Sequence, residues 1–195
     1  MSARRLPVRP DLDQLKHQAK NLLKAYRAGD REASADFAEL HPKTVVAHRA
    51  TLADAQLVLA RSYGASSWTR IVQCCRLIDA IWDDDADMVR GLVTANRNLL
   101  IENAGIGNYN WGPPMSYAAN LGRDRIIRLL YDLGARDLQH AIGRAVLQSR
   151  IETAEMLNEM LGKPAPPEGA LDGAAYTLSV PGTEFVFRRG FQIRQ

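Results

Sequence analysis

Apolar residues recur at helical spacing along most of the chain. Leu12, Leu15, Ala19, Leu22, Leu23 and Tyr26 share one helical face. That helix opens at Asp11, with Gln14 at the spacing of a capping box. Lys16, Lys20 and Lys24 line another of its faces. A second helix is predicted over Arg31–Leu40, ending before His41-Pro42, since a residue ahead of proline is driven out of the helical region. A third runs from Leu52 to Tyr63, with Thr51 as its cap and Gly64 as its stop. Ser66 or Ser67 caps a fourth that contains Trp68, Ile71 and Val72. From Leu77 onward the pattern changes to short helices in pairs.

The clearest pair lies in the run Pro113-Pro114-Met115-Ser116-Tyr117-Ala118-Ala119-Asn120-Leu121-Gly122-Arg123-Asp124-Arg125-Ile126-Ile127-Arg128-Leu129-Leu130-Tyr131-Asp132-Leu133-Gly134-Ala135. Pro114 suits a helix's first turn, where its missing N–H costs nothing. Ala118 and Ala119 are small enough for the first helix to pack close to neighbours. Gly122 permits a tight helix-to-helix turn. Ile126, Ile127, Leu129 and Leu130 form the buried face of the second helix. Gly134 suits the left-handed position that ends it. This unit, Pro113 to Arg136, resembles the ankyrin repeat: a T-P-L-H-like opening, paired alanines, a glycine turn, an apolar helix and a closing Gly-Ala.

The remainder of 77–195 fits the same template as about four degenerate repeats. The first takes Leu77–Trp82 and Met88–Val93, with Asp84 in place of the turn glycine and Asn96 in place of the closing one. Asn in that place is expected to adopt the left-handed conformation. The third takes Ile142–Leu147 and Glu152–Leu157, with Ser149 at the turn and Gly162 near its close. The fourth takes Ala174-Ala175-Tyr176 and Phe185–Gly190, and Pro181 and Gly182 are expected to interrupt its helices. The equivalent alanines, Ala80, Ala118, Ala145 and Ala174, stand 38, 27 and 29 residues apart. A regular array repeats at about 33, so the hairpins between helix pairs are expected to vary in length or, in places, to be missing. Phe185, Phe187 and Phe191 at the end have no evident covering helix. This predicts either a chain truncated from a longer one or an apolar end packed on a partner or second copy.

The opening Arg9–Lys16 and the string Leu52–Gly64 followed by Ser67-Trp68 resemble segments that precede the repeats in bacterial ankyrin-repeat proteins. The resemblance implies an all-α fold: an ankyrin-type helical repeat solenoid (77–195) behind an N-terminal helical cap (1–76). It also implies a non-enzymatic module that binds a protein or peptide partner through its groove and hairpin tips. The groove-facing positions carried over by the resemblance are Trp82 and Asp83, Asn120 and Leu121, and Leu147 and Gln148. The hairpin tip ahead of the best repeat is Asn108-Tyr109-Asn110-Trp111-Gly112. Tyr109, Asn110 and Trp111 are residue types favoured at recognition surfaces. Trp111 folding back over the neighbouring loop is an equal alternative. Trp82 beside an acidic turn suggests a basic or apolar peptide.

Composition adds limits. The chain has 195 residues, 46% hydrophobic, enough for a packed core. No stretch approaches the roughly 18 apolar residues of a membrane span, and Met1–Pro7 lacks the apolar core of a secretory signal. A cytoplasmic protein with no membrane association is expected. Adjacent Cys74 and Cys75 read as reduced thiols, at least one of them in the core.

The net charge of +3 is unevenly spread. Residues 1–76 carry 13 Lys/Arg against 7 Asp/Glu, and 77–195 carry 12 against 15. The Lys16/Lys20/Lys24 stripe raises nucleic-acid association as the alternative function. No aromatic residue interleaves it, and Asp11, Asp13 and Asp30 dilute it. The Asp83-Asp84-Asp85-Asp87 run lacks the register of a calcium loop, and Gly105-Ile106-Gly107 lacks the Lys and context of a phosphate loop. His17, His41, His48 and His140 are scattered. No catalytic set, metal site or cofactor is expected.

Overall fold

Among the described residues every regular element is helical. The computed structural model describes residues 4–107, 111–162 and 169–190. Eleven α-helices follow in order: α1 (Leu12–Arg27), α2 (Arg31–Leu40), α3 (Leu52–Ser62), α4 (Trp68–Trp82), α5 (Ala86–Ala95), α6 (Pro114–Leu121), α7 (Asp124–Asp132), α8 (Leu138–Leu147), α9 (Ile151–Leu161), α10 (Gly169–Tyr176) and α11 (Val180–Arg188). Short 3-10 turns cover Ala47–Arg49 and Arg97–Leu100. The chain divides into two compact units: residues 1–76 with 105–108, and residues 77–104 with 109–195. Helix α4 is continuous from Trp68 to Trp82. Trp68–Val72 and Leu77–Trp82, expected as separate pieces, are one helix.

In the first unit α1, α2 and α3 pack on one another. Local signals set their ends. Asp11 accepts from the amides of Asp13 and Gln14 at the start of α1. Thr51 and Asp54 form a reciprocal capping box at the start of α3. Ser67 accepts from the Arg70 amide at the start of α4. Ala19, Leu22, Ala33, Phe37, Ala50, Ala55, Val58 and Leu59 form the core. Tyr26 stacks on Phe37 at 3.7 Å and donates its hydroxyl to the Val45 carbonyl. Asp36, 4% exposed, is paired with Arg4 at 2.9 Å. Burial nevertheless lifts its carboxyl above the ordinary aspartate range, with Arg4 opposing.

The second unit has two helical layers. An inner row runs α6, α8, α10, and helices α5, α7, α9 and α11 lie outside it. Helices α6 and α7, α8 and α9, and α10 and α11 pack as antiparallel pairs. One turn geometry is used four times, counting the turn from α4 to α5. Asp84, Gly122, Ser149 and Leu178 all take left-handed backbone, with φ of 57°, 69°, 55° and 53°. After each, the next amide donates to an alanine carbonyl five residues back: Asp85 to Ala80 (2.8 Å), Arg123 to Ala118 (3.0 Å), Arg150 to Ala145 (2.8 Å) and Ser179 to Ala174 (2.8 Å). This is the 6→1 bond of a Schellman ending. The repeat is thus written in hydrogen bonds as well as in sequence.

Three details differ from expectation. Pro181 and Gly182 do not interrupt a helix. They lie in the first turn of α11, where proline needs no amide partner and Ser179 accepts from the Gly182 amide at 3.0 Å. Asn96 is extended (φ −141°) instead of left-handed, because its side chain caps the following 3-10 turn. Phe185 is fully buried, while Phe187 remains 44% exposed and Phe191 lies outside the described residues.

Candidate functional site

The described sequence-derived positions fall at the end of α4, at both ends of α6 and at the end of α8, or in the turns beside them. Trp82 ends α4, Asn120 and Leu121 end α6, Leu147 ends α8, and Asp83 and Gln148 open the turns that follow α4 and α8. Asp83 and Gln148 are exposed, and Trp82, Leu121 and Leu147 are half-buried. Asn120 is only 4% exposed. Trp111 is half-buried ahead of α6. Tyr109 and Asn110 lie outside the described residues.

Several of these positions are joined by polar and aromatic contacts that cross from one helix pair to the next. The Trp82 indole Nε1 donates to the Tyr117 hydroxyl at 3.2 Å. The Tyr117 ring meets Trp111, centroids 4.7 Å apart and planes inclined by 47°. The Arg144 guanidinium lies over the opposite partner, its carbon 5.5 Å from the Trp111 centroid. Arg144 Nε and Nη2 both donate to Asn120 Oδ1, at 3.0 and 2.5 Å. Arg123, at the turn after α6, donates to the Trp82 carbonyl. Trp111 therefore folds back onto Tyr117 and Arg144, and Asn120 is committed to Arg144.

The surroundings hold this chain of contacts in place. Asp137 Oδ2 accepts from the Ser116 amide, at 3.1 Å, and from the Ser116 hydroxyl. A carboxylate at these first-turn donors suits the positive end of α6. Ala104 donates to the Gly112 carbonyl at 3.0 Å. Gly112 has φ 78°, and a Cβ there would stand 2.5 Å from His140 Cε1, so only glycine lets the loop pass this close to α8. Desolvation, and then the Arg144 charge, hold the His140 imidazole below the ordinary histidine range, against the pull of Asp137. Burial likewise depresses Arg144.

Comparison with family models, with curated proteins and with solved structures finds no match for this chain. Its chemistry is therefore read from its own residues.

A polar cavity of about 330 Å³ opens beside the α6–α7 and α8–α9 turns, lined by Gly122, Asp124, Ser149, Arg150, Ile151, Glu152 and Thr153. Thr153 donates to Asp124 there at 2.7 Å. Among the described residues no group of three or more His, Cys, Asp and Glu is placed to hold a metal. No described helix is long and apolar enough to cross a membrane. Cys74 and Cys75 are both free and buried, and burial pushes the Cys74 thiol up to about 11. On α1, Lys16 is paired with Asp13 at 2.8 Å.

The feature that sequence reasoning missed is Arg144. A polar residue on a short helix reads as solvated. The available signal was register: the residue before each equivalent alanine is Asp79, Tyr117, Arg144 and Gly173. Tyr117, at the same register, is 2% exposed, and Arg144 follows it inward at 7%.

Proposed function

We propose that this chain is an ankyrin-type helical-repeat module that binds a protein or peptide partner without catalysing a reaction. The observation that carries the reading is the fourfold left-handed turn with its 6→1 bond to an equivalent alanine. Identical turns on successive helix pairs orient those pairs alike, and stacking such pairs generates an extended inner face. Trp82, Trp111, Leu121 and Leu147 supply partly accessible apolar surface on it, with Asp83 and Gln148 at its margin. A few well-held aromatic residues among polar ones suit a binding patch, since such anchors dominate interface energetics. Asn120 acts indirectly in this reading, by fixing Arg144.

The test is capture of the native partner by the purified full chain, with the partner identified by mass spectrometry. A folded Trp82→Ala, Trp111→Ala double variant is expected to lose that partner. Undiminished capture by the double variant would overturn the assignment of this face.

A further inference from the structure

Arg144 carries its charge into the protein with no counter-ion among the described residues. The residue is 7% exposed. Its side chain is met by a neutral amide oxygen, Asn120 Oδ1, and by the face of Trp111. It takes part in no ion pair among the described residues. The nearest acid along α8, Asp137, is two helical turns back and bound to Ser116. A guanidinium has five N–H donors in a rigid plane. Asn120 occupies the Nε–Nη2 edge, and Nη1 donates to no described residue. The Nη1–Nη2 edge is left, and that edge matches the two oxygens of a carboxylate.

Burying an unpaired charge is costly unless something later pairs with it. Here the cost is accepted in a fixed geometry: Asn120 is itself buried, and Trp111 is held by Tyr117, which Trp82 contacts in turn. From this we propose that Arg144 is a carboxylate-recognition site on the inner face, taking an acidic side chain from a partner peptide. The inference rests on the protein-binding reading above and adds the chemistry of one contact. A carboxylate fits better than a phosphate dianion. Among the described residues no second lysine or arginine bears on the Arg144 guanidinium, its neighbour His140 is held toward its neutral form, and half-buried Leu147 stands three residues on in α8. The exposed acid of Asp83 lies at the turn after α4. The inner face therefore reads a peptide with an acidic residue opposite α8, whatever basic or apolar residues meet Trp82.

The probe is an acetylated, amidated tetraglutamate peptide, titrated into the full chain. The readouts are the Arg144 Nε–H resonance and tryptophan fluorescence. A saturable shift is expected with tetraglutamate and not with the matching tetralysine peptide. Arg144→Gln should weaken binding by roughly tenfold or more. Arg144→Lys should weaken it too, because the charge survives but the planar fork does not. Asn120→Asp keeps Oδ1 in place and adds a permanent counter-charge, so it should also abolish the shift in a protein that still folds. This second variant decides the matter if Arg144→Gln fails to fold.

No saturable shift in the wild-type chain overturns the proposal, as does equal affinity in Asn120→Asp. Inorganic phosphate binding as tightly as tetraglutamate overturns the carboxylate assignment. If the native partner is lost in the Trp82, Trp111 double variant but retained by both Arg144 variants and by Asn120→Asp, the inner face stands and this inference falls.

Discussion

The two units bury different materials. In the first, the core around Phe37, Val58 and Leu59 is apolar, and the one polar residue buried there among the described residues, Asp36, has the Arg4 guanidinium beside it. In the second, Ser116, Asn120, Arg144, Thr153, Asn158 and Ser179 are all buried. Some have a plain local duty: Ser179 caps α11, and Thr153 donates to Asp124. Arg144 and Asn120 bond to each other across α8 and α6, a link that a hydrophobic pair of similar volume often replaces without loss of stability. The contrast separates a region organised for stability from one that carries a polar arrangement stability does not require.

Four measurements sharpen or break that contrast. The largest effect is expected in the first unit. Phe37→Ala removes a buried ring stacked on Tyr26 and should cost about 3–5 kcal/mol in urea unfolding. A cost under about 1 kcal/mol would mean the first unit is not held by its apolar core. Asn120→Ala comes next. It strips the acceptor from a buried guanidinium and should cost about 2–3 kcal/mol. An unchanged unfolding midpoint would show Arg144 to be solvated rather than held.

Leu178→Gly should act in the opposite sense. Leu178 sits at φ 53° and is 87% exposed, so glycine relieves backbone strain with little packing lost. A gain of about 1 kcal/mol is expected. Destabilisation instead would reveal a packing role for the leucine.

The smallest effect concerns pH. The folded state holds His140 below its ordinary pKa of 6.5, through desolvation and then Arg144, with Asp137 opposing. The unfolded chain therefore takes up the proton first as pH falls. Stability is complete above the unfolded value and declines as pH drops through 6.5 toward the folded one. His140→Gln should flatten that part of the stability profile. A wild-type profile already flat there would remove the buried-cation environment from the second unit.

Signals within one helix turn were legible in the sequence. Arg31–Leu40 is α2 as its spacing predicts, and Thr51 and Gly64 bound the third helix as cap and left-handed stop. Asp84 and Ser149 at glycine-like places are left-handed because register, not residue type, sets the turn. Pro181 misled because proline's effect depends on its distance from the helix start, which Ser179 fixes. Asn96 misled because it both ends α5 through its backbone amide and caps the following 3-10 turn through its side chain, and that cap goes with extended backbone. The contact of Trp111 with Arg144 joins residues 33 positions apart and follows no local rule. Asn120 had a place on the inner face, but its commitment to Arg144 became visible only in three dimensions.

The left-handed turn has a consequence for how such a chain can change. Each hairpin is closed by its own backbone bond, so its shape owes little to the length of the segment that leads into it. The spacings of 38, 27 and 29 residues between equivalent alanines are what a set of interchangeable cassettes on elastic connectors would show. Added or deleted residues then accumulate in the connectors, such as the stretch from Ile101 to Gly107, while the hairpins keep their pitch. New recognition loops can be grafted beside an old hairpin without redesigning it.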